Sequence, residues 1–256
     1  MKDHYGATNE LSWKLRFHTQ TAGVSLTAQQ PEVNVARTAI EALAGVLGGT
    51  QSLHTNSMDE ALALPSEKAA RIALRTQQVI AYETNVVNVA DPLGGSWFVE
   101  GLTDEMADQA EAIFAEIEGM GEGSMLEGCI KGIEENWFQG RIAESAYNLE
   151  RSFNRGTRVV VGVNDFTEGN DDADLEILRI TNADERKQVG RLNDVRASRD
   201  ETKVLLALEE LTRDALDPDV NLMPALIKAS SAYVTVGEMM GAMEKVFGRH
   251  VEVPTL

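Results

Sequence analysis

From Trp13 to Thr19 large apolar and polar side chains alternate, the two-residue period of a strand covered on one face. The pattern runs into a polar, small-residue stretch, Gln20-Thr21-Ala22-Gly23, and then changes period. Behind Pro31, the residues Val33, Ala36, Ile40, Leu43 and Leu47 recur at helical spacing, and Gly48-Gly49 closes the run. A second short strand is predicted over Thr50 to His54, ending in the polar cluster Thr55-Asn56-Ser57. A second helix follows Pro65-Ser66, with Ala69, Ile72, Thr76 and Val79 on one face. Strand, loop, helix, strand, loop, helix is a βα repeat, the unit of a parallel sheet or a barrel.

Both predicted strands finish in polar groups. Ligands of β/α folds sit at the carboxyl ends of the strands, so His18-Thr19-Gln20 and His54-Thr55-Asn56 are expected to face one site. Beyond Asp91-Pro92-Leu93-Gly94-Gly95-Ser96, a turn built by proline and glycine and read as a boundary, helical periodicity takes over. Helices are predicted over 103–118, with Met106, Ala110, Ile113, Phe114 and Ile117 inward, and over 123–135 and 139–154. Val159-Val160-Val161-Gly162-Val163-Asn164 reads as a short buried strand, followed by a solvated acidic loop from Glu168 to Asp174. Further helices are predicted over 184–198, 200–215, 221–231 and 235–247. In the last of these Val236, Met239, Met240, Met243 and Phe247 form an apolar packing face. The expected division is therefore residues 1–90, the βα units, and 91–256, a mostly helical extension with one short strand.

Charge narrows the partners. Forty-one acidic residues against 23 basic ones give a formal charge of −18, a field that repels phosphate, so neither nucleic acid nor an anionic membrane is expected. The single cysteine, Cys129, excludes an intramolecular disulfide and fits a reducing cytosol; between Gly128 and Ile130 it reads as a small packing residue. The four histidines and this cysteine lack zinc-binding spacing, and no metal site is predicted. No apolar run approaches the roughly 20 residues of a membrane span, and the amino end has no signal-peptide core, so a cytoplasmic protein is expected. Neither strand-end loop carries a glycine-rich phosphate cradle, which disfavours a phosphate-binding barrel end.

The segment Arg16-Phe17-His18-Thr19-Gln20-Thr21-Ala22-Gly23-Val24-Ser25-Leu26-Thr27 resembles the barrel-bearing large subunit of the methylmalonyl-CoA mutase family. The block from Gly48 to Ser57, followed by Asp59-Glu60-Ala61-Leu62-Ala63-Leu64-Pro65, resembles the same family in order and spacing. So do Ala90 to Ser96, Val160 to Asn164, and Thr235-Val236-Gly237-Glu238, and the likeness runs from about residue 13 to 250.

The resemblance implies an α/β fold: the last βα units of a (β/α)8 TIM barrel followed by the helical region. It implies an isomerase that uses adenosylcobalamin to rearrange the carbon skeleton of an acyl-CoA, methylmalonyl-CoA to succinyl-CoA, by radical chemistry. On the matching positions it carries His18 and Gln20 toward the acyl substrate, Gly23 against the corrin, Asn56 and Glu60 toward the adenosyl ribose, and Ala63 against the cofactor. A glycine admits close backbone approach to a flat macrocycle, and a carboxylate accepts two ribose hydroxyls. The cobalt ligand of the family belongs to a separate B12-binding domain; Asp3-His4-Tyr5-Gly6 has the wrong spacing for it. The family's substrate-clamping tyrosine and arginine lie on earlier strands, so an amino-terminal barrel half and a B12-binding domain or subunit are the expected partners, without which the chain is expected to be inactive. Ethylmalonyl-, isobutyryl- and 2-hydroxyisobutyryl-CoA remain as alternative substrates, and a non-catalytic assembly subunit as an alternative role.

Overall fold

A one-turn helix, α1 (Glu10–Trp13), leads into two strands of three residues each, β1 (His18–Gln20) and β2 (Ser52–His54), in the computed structural model, which describes residues 1–168, 177–249 and 251. The strands pair in parallel with His18 opposite Ser52, Thr19 opposite Leu53 and Gln20 opposite His54. Bonds from Gln51 N–H to Phe17 O and from Thr21 N–H to His54 O extend the ladder at its two ends. Both strands are shorter than the sequence pattern predicts. Trp13 closes α1, whose cap is the Asn9 side chain accepting the Leu11 N–H at 2.9 Å, and Leu15 turns the backbone at φ 40°. Alternation alone does not make a strand; a partner does, and β2 offers only three residues.

The crossover between the strands is α2 (Val33–Leu47), ended by Gly48 and by Gly49 at φ +81°. Its bounds match the periodicity, but the buried stripe is Asn34, Thr38 and Ala42, and the predicted inward Ile40 is exposed. Small residues let the helix lie close to the sheet: a Cβ on Gly45 would sit 3.0 Å from the Thr19 methyl. Asn34 is tolerated there because its amide is fully used. It donates to the carbonyls of Thr27 and Met58, both at 2.8 Å, and accepts from the Thr27 N–H and the Arg37 guanidinium. Arg37 also donates to Val161 O at 2.7 Å, tying the later segment 158–166 to this helix.

Helix α3 (Glu67–Glu83) follows β2 and is capped by Ser66, which accepts the Ala69 N–H. It buries Ala69, Ala73, Thr76 and Ile80, one step round from the predicted face, and Val79 is exposed. Thr55 donates to Ala73 O at 2.7 Å, and Gln77 donates to Leu53 O and to the Thr55 hydroxyl. These bonds fix α3 to the end of β2.

Helices α4 (Trp97–Met120), α5 (Met125–Glu134) and α6 (Trp137–Asn154) complete the helical part of the first compact unit, Met1–Arg179. The α4–α5 corner is closed by glycine, since a Cβ on Gly128 would lie 1.9 Å from Ile117 O. Of the apolar face predicted for 103–118 only Ile117 is buried; Met106, Ile113 and Phe114 are exposed. Cys129 is half-buried. The predicted strand over 159–164 is a turn with a single bridge between Val161 and Asp165, because Gly162 adopts φ +78° and breaks the extended run. Most of the predicted acidic loop lies outside the described residues.

The second compact unit, Ile180–Leu256, contains α7 (Asn182–Ser198), α8 (Glu201–Ala215), α9 (Met223–Ser231) and α10 (Val236–Phe247). Its core joins Val204, Ala207 and Leu211 of α8 to Ala225, Ala229, Val234 and Ala242, with Met239 and Met243 packed against them. Val236, Met240 and Phe247 of the predicted methionine face are exposed instead. The two compact units divide between Arg179 and Ile180. Among the described residues no helix is long and apolar enough to cross a membrane.

The entry to α10 is held by charge. Arg199 grips Glu238 with two hydrogen bonds, 2.8 and 2.7 Å, while Glu238 accepts the Thr235 N–H and hydroxyl in a capping box. Chiefly the Arg199 hydrogen bonds, helped by those of Thr235 and opposed by burial, bring the Glu238 carboxyl down to about 2. A value depressed in the folded state stabilises the fold above the ordinary carboxylate range and loses that contribution as pH falls toward 2. Glu238→Gln should therefore flatten the acid limb of stability between about pH 4.5 and 2, read by urea denaturation across that range. Leu211, fully buried, should on replacement by alanine cost about 3 kcal/mol, read as a lower urea midpoint at neutral pH.

Candidate functional site

Alternation along β1 and β2 separates two faces of the sheet. Thr19 points at Gly45 of α2, whereas His18 and Gln20 point the other way, as do their neighbours Ser52 and His54 on β2. The face away from α2 is thus polar, and all four of these residues are exposed. His18 Nδ1 lies 2.8 Å from Ser52 Oγ across the pair.

Past the strand tips the chain changes from exposed to buried. Thr55, Asn56, Ser57, Met58 and Asp59 are consecutive buried residues, and Glu60 emerges at the surface. Asp59 shapes this loop: its Oδ2 accepts the Ser66 N–H at 2.9 Å, and its carbonyl accepts the Leu62 and Ala63 N–H groups. Asn56 joins the two tips. Its Oδ1 accepts from Gln20 Nε2 at 3.3 Å and from the Thr21 hydroxyl at 3.1 Å, and its Nδ2 donates to Glu60 Oε1 at 3.0 Å. The Asn56 backbone N–H donates to Thr21 Oγ1 at 2.9 Å.

Gly23 opens a 3-10 turn, Gly23–Ser25, that passes over this cluster. A Cβ there would lie 2.5 Å from Glu60 Oε1 and 2.9 Å from Asn56 Nδ2, so the site closes only around a residue without a side chain. Glu41 of α2 holds the turn down, accepting the Ala22 N–H at 2.8 Å through one oxygen and the Ser25 hydroxyl through the other.

Of the residues singled out from sequence, Gln20, Asn56, Glu60 and Gly23 come together in one cluster. Ala63 lines, with Gln20, His54 and Glu60, an open cleft of about 800 Å³ that continues along α3 past Leu64 and Ala73. His18 stands on the same sheet face as Gln20 but bonds to Ser52 instead of the cluster. Thr21 and Glu41 were not singled out. A hydroxyl directly after a strand, facing the first asparagine after its neighbour, is the only sequence signal for Thr21; Glu41, inside a helix, carries none. Among the described residues no three His, Cys, Asp or Glu side chains gather as a metal site.

Comparison with known proteins extends this picture to the whole chain. The methylmalonyl-CoA mutase family profile matches residues 1–249. The chain is 45% identical over 254 residues to the 2-hydroxyisobutanoyl-CoA mutase large subunit of Aquincola tertiaricarbonis, covering 99% of this chain and 44% of that protein. It is 49% identical over 247 residues to methylmalonyl-CoA mutase of Cereibacter sphaeroides, covering 96% of this chain and 34% of that protein. It is 44% identical over 243 residues to the mitochondrial methylmalonyl-CoA mutase of Homo sapiens, covering 94% and 32% respectively. The chain thus spans between about a third and less than half of each of these relatives. A match over residues 1–249, which takes in both strand tips and all ten α-helices among the described residues, leaves one assignment: the chain belongs to the methylmalonyl-CoA mutase family.

Proposed function

We propose that this chain forms part of an adenosylcobalamin-dependent acyl-CoA mutase, an isomerase that interconverts methylmalonyl-CoA and succinyl-CoA. One observation carries the reading: at the carboxyl tips of two parallel strands, Gln20, Asn56 and Glu60 form a continuous hydrogen-bonded line that ends in an exposed carboxylate beside a glycine. In this reading β1 and β2 are the last two strands of a (β/α)8 barrel, with α2 and α3 outside and the polar face of His18, Gln20, Ser52 and His54 inside. A polar lining without fixed charge suits a thioester carbonyl that must be oriented without being ionised.

The residues fit the cofactor. Glu60 engages Asn56 through Oε1 only, which leaves Oε2 to accept the hydroxyls of a ribose. Ala63 keeps the rim of the cleft free of bulk, and Gly23 brings bare backbone against Glu60 and Asn56, where a flat macrocycle would rest. Adenosylcobalamin supplies, when bound, the radical that abstracts hydrogen from the acyl group. Everything asked of this chain is binding, orientation and exclusion of water: His18 and Gln20 toward the acyl carbonyl, Asn56 and Glu60 toward the nucleoside. The cobalt ligand comes from a B12-binding domain or subunit, and the remaining strands from the amino-terminal barrel half. The relative named as a 2-hydroxyisobutanoyl-CoA mutase large subunit, at 45% identity, favours a second reading in which the substrate is a related branched acyl-CoA. Turnover assays of the complete mutase with methylmalonyl-CoA and 2-hydroxyisobutyryl-CoA decide between the two.

The site itself is tested in the complete mutase assembled with its B12-binding partner. Glu60→Ala removes charge-assisted hydrogen bonds of about 1.5–3 kcal/mol and should weaken adenosylcobalamin binding by about 10- to 100-fold. An unchanged dissociation constant rejects the site. Gly23→Ala should have a similar effect for a different reason, because the new methyl displaces the flexible Glu60 carboxylate while the fold, read by its melting temperature, stays close to wild type.

A further inference from the structure

Asn56 presents an amide whose two ends are chemically opposite, and only one orientation serves Glu60. Two donors, the Thr21 hydroxyl and the Gln20 amide, reach one end of it, and the Glu60 carboxylate accepts from the other. The backbone N–H of Asn56 donates to Thr21 Oγ1, and the Thr21 hydroxyl donates its single proton to Asn56 Oδ1. Gln20 Nε2 reaches the same oxygen from the exposed side. With Oδ1 claimed, Nδ2 faces the Glu60 carboxylate. Turned over, the amide would set Nδ2 against the Gln20 donor, leave the buried Thr21 proton without its acceptor, and set Oδ1 against a carboxylate. Thr21 and Asn56 are 3% and 2% exposed, so water cannot make good those losses. Gln20 is exposed and its bond is the longest of the set, which leaves the Thr21 hydroxyl as the group that decides.

We propose that Thr21 is a positioning residue: its hydroxyl fixes the Asn56 amide and, through it, holds Glu60 with one carboxylate oxygen engaged and the other presented to the ligand. The inference rests on the cofactor reading of this site and adds to it a residue that touches neither cofactor nor substrate. Thr21→Val keeps the shape and deletes the hydroxyl; Thr21→Ser keeps the hydroxyl and deletes the methyl.

In the complete mutase with its B12-binding partner, adenosylcobalamin affinity is measured by absorbance titration. Thr21→Val should raise the dissociation constant by about tenfold, and Thr21→Ser should bind as wild type. If Thr21 acts only through Asn56, adding Thr21→Val to Asn56→Ala should weaken binding no further than Asn56→Ala alone, a coupling that a merely structural role would not produce. If Thr21→Val cannot be purified folded, Thr21→Ala removes the same hydroxyl without pressing a methyl on the amide and carries the same expectation. Wild-type affinity in Thr21→Val, equal losses in the valine and serine variants, or additive losses with Asn56→Ala each overturn the proposal. Should Asn56→Ala and Glu60→Ala both bind adenosylcobalamin as wild type, the reading of the site itself fails; if those two weaken binding and Thr21→Val does not, the Thr21 inference fails alone.

Discussion

Everything at the strand tips depends on the register of a parallel ladder only three residues long. A slip of one residue would turn His18 and Gln20 into α2 and bring Thr19 to the open face. So short a ladder does not hold its own register. Side chains do it from the ends: Thr21 and Asn56 exchange two bonds across the carboxyl tips, and Gln51 donates to the Phe17 carbonyl through its backbone and accepts the Phe17 N–H at 2.8 Å through its side chain at the other end. Helices α2 and α3 then close on the sheet through Asn34, Thr55 and Gln77, each a polar residue whose hydrogen bonds run to backbone carbonyls. Polar contacts, more than apolar area, set the geometry of this half of the chain. The second unit is the reverse, a core packed from alanine, valine and leucine with the Arg199–Glu238 ion pair at its edge.

The helices were legible because their signals are local. Pro31 and Gly48-Gly49 bracket α2, Ser66 caps α3, and the helices of the second unit begin within about two residues of where periodicity puts them. Their buried faces were not. Hydrophobic periodicity assumes that the largest apolar residues point inward, yet α2 buries Asn34 and Ala42 and exposes Ile40, because the close approach of helix to strand favours small or fully bonded residues. On α4 the apolar residues are real but face outward within this chain. Strands were legible only in part: β1 and β2 form and pair in parallel but are shorter than predicted, and the third is a turn. The run from Trp13 and the run from Val159 have strand-like composition, but pairing is a property of two segments, and the second run contains a left-handed glycine and meets only one bridge.

The candidate site was legible in its exposed residues and in buried Asn56, and silent in the partners packed behind them. Gln20 and Asn56 belong to polar strand tips, where topology alone leads one to look, whereas Glu60 is implied only by the family resemblance. Gly23, which the resemblance sets against the corrin, has Glu60 and Asn56 of the same chain nearest to the place a Cβ would take. Thr21 and Glu41 had no such signal, since their importance lies in which backbone and amide groups they meet once α2 has packed. Spacing reports what a segment can become; it does not report which hydroxyl will face which amide.

That division between inward and outward residues has an energetic meaning. Asn56, Thr21 and Thr55 are desolvated, and each finds its hydrogen bonds inside the chain. Gln20, His18, His54 and Glu60 remain exposed to water. The cost of ordering the polar network is therefore met when the chain folds, before any ligand arrives. A ligand at the tips would displace water from side chains already aimed, and would need to restrain only Gln20 and the free end of Glu60. A site built this way is sensitive to losses behind its surface, because removing a buried partner loosens an exposed one without touching the ligand.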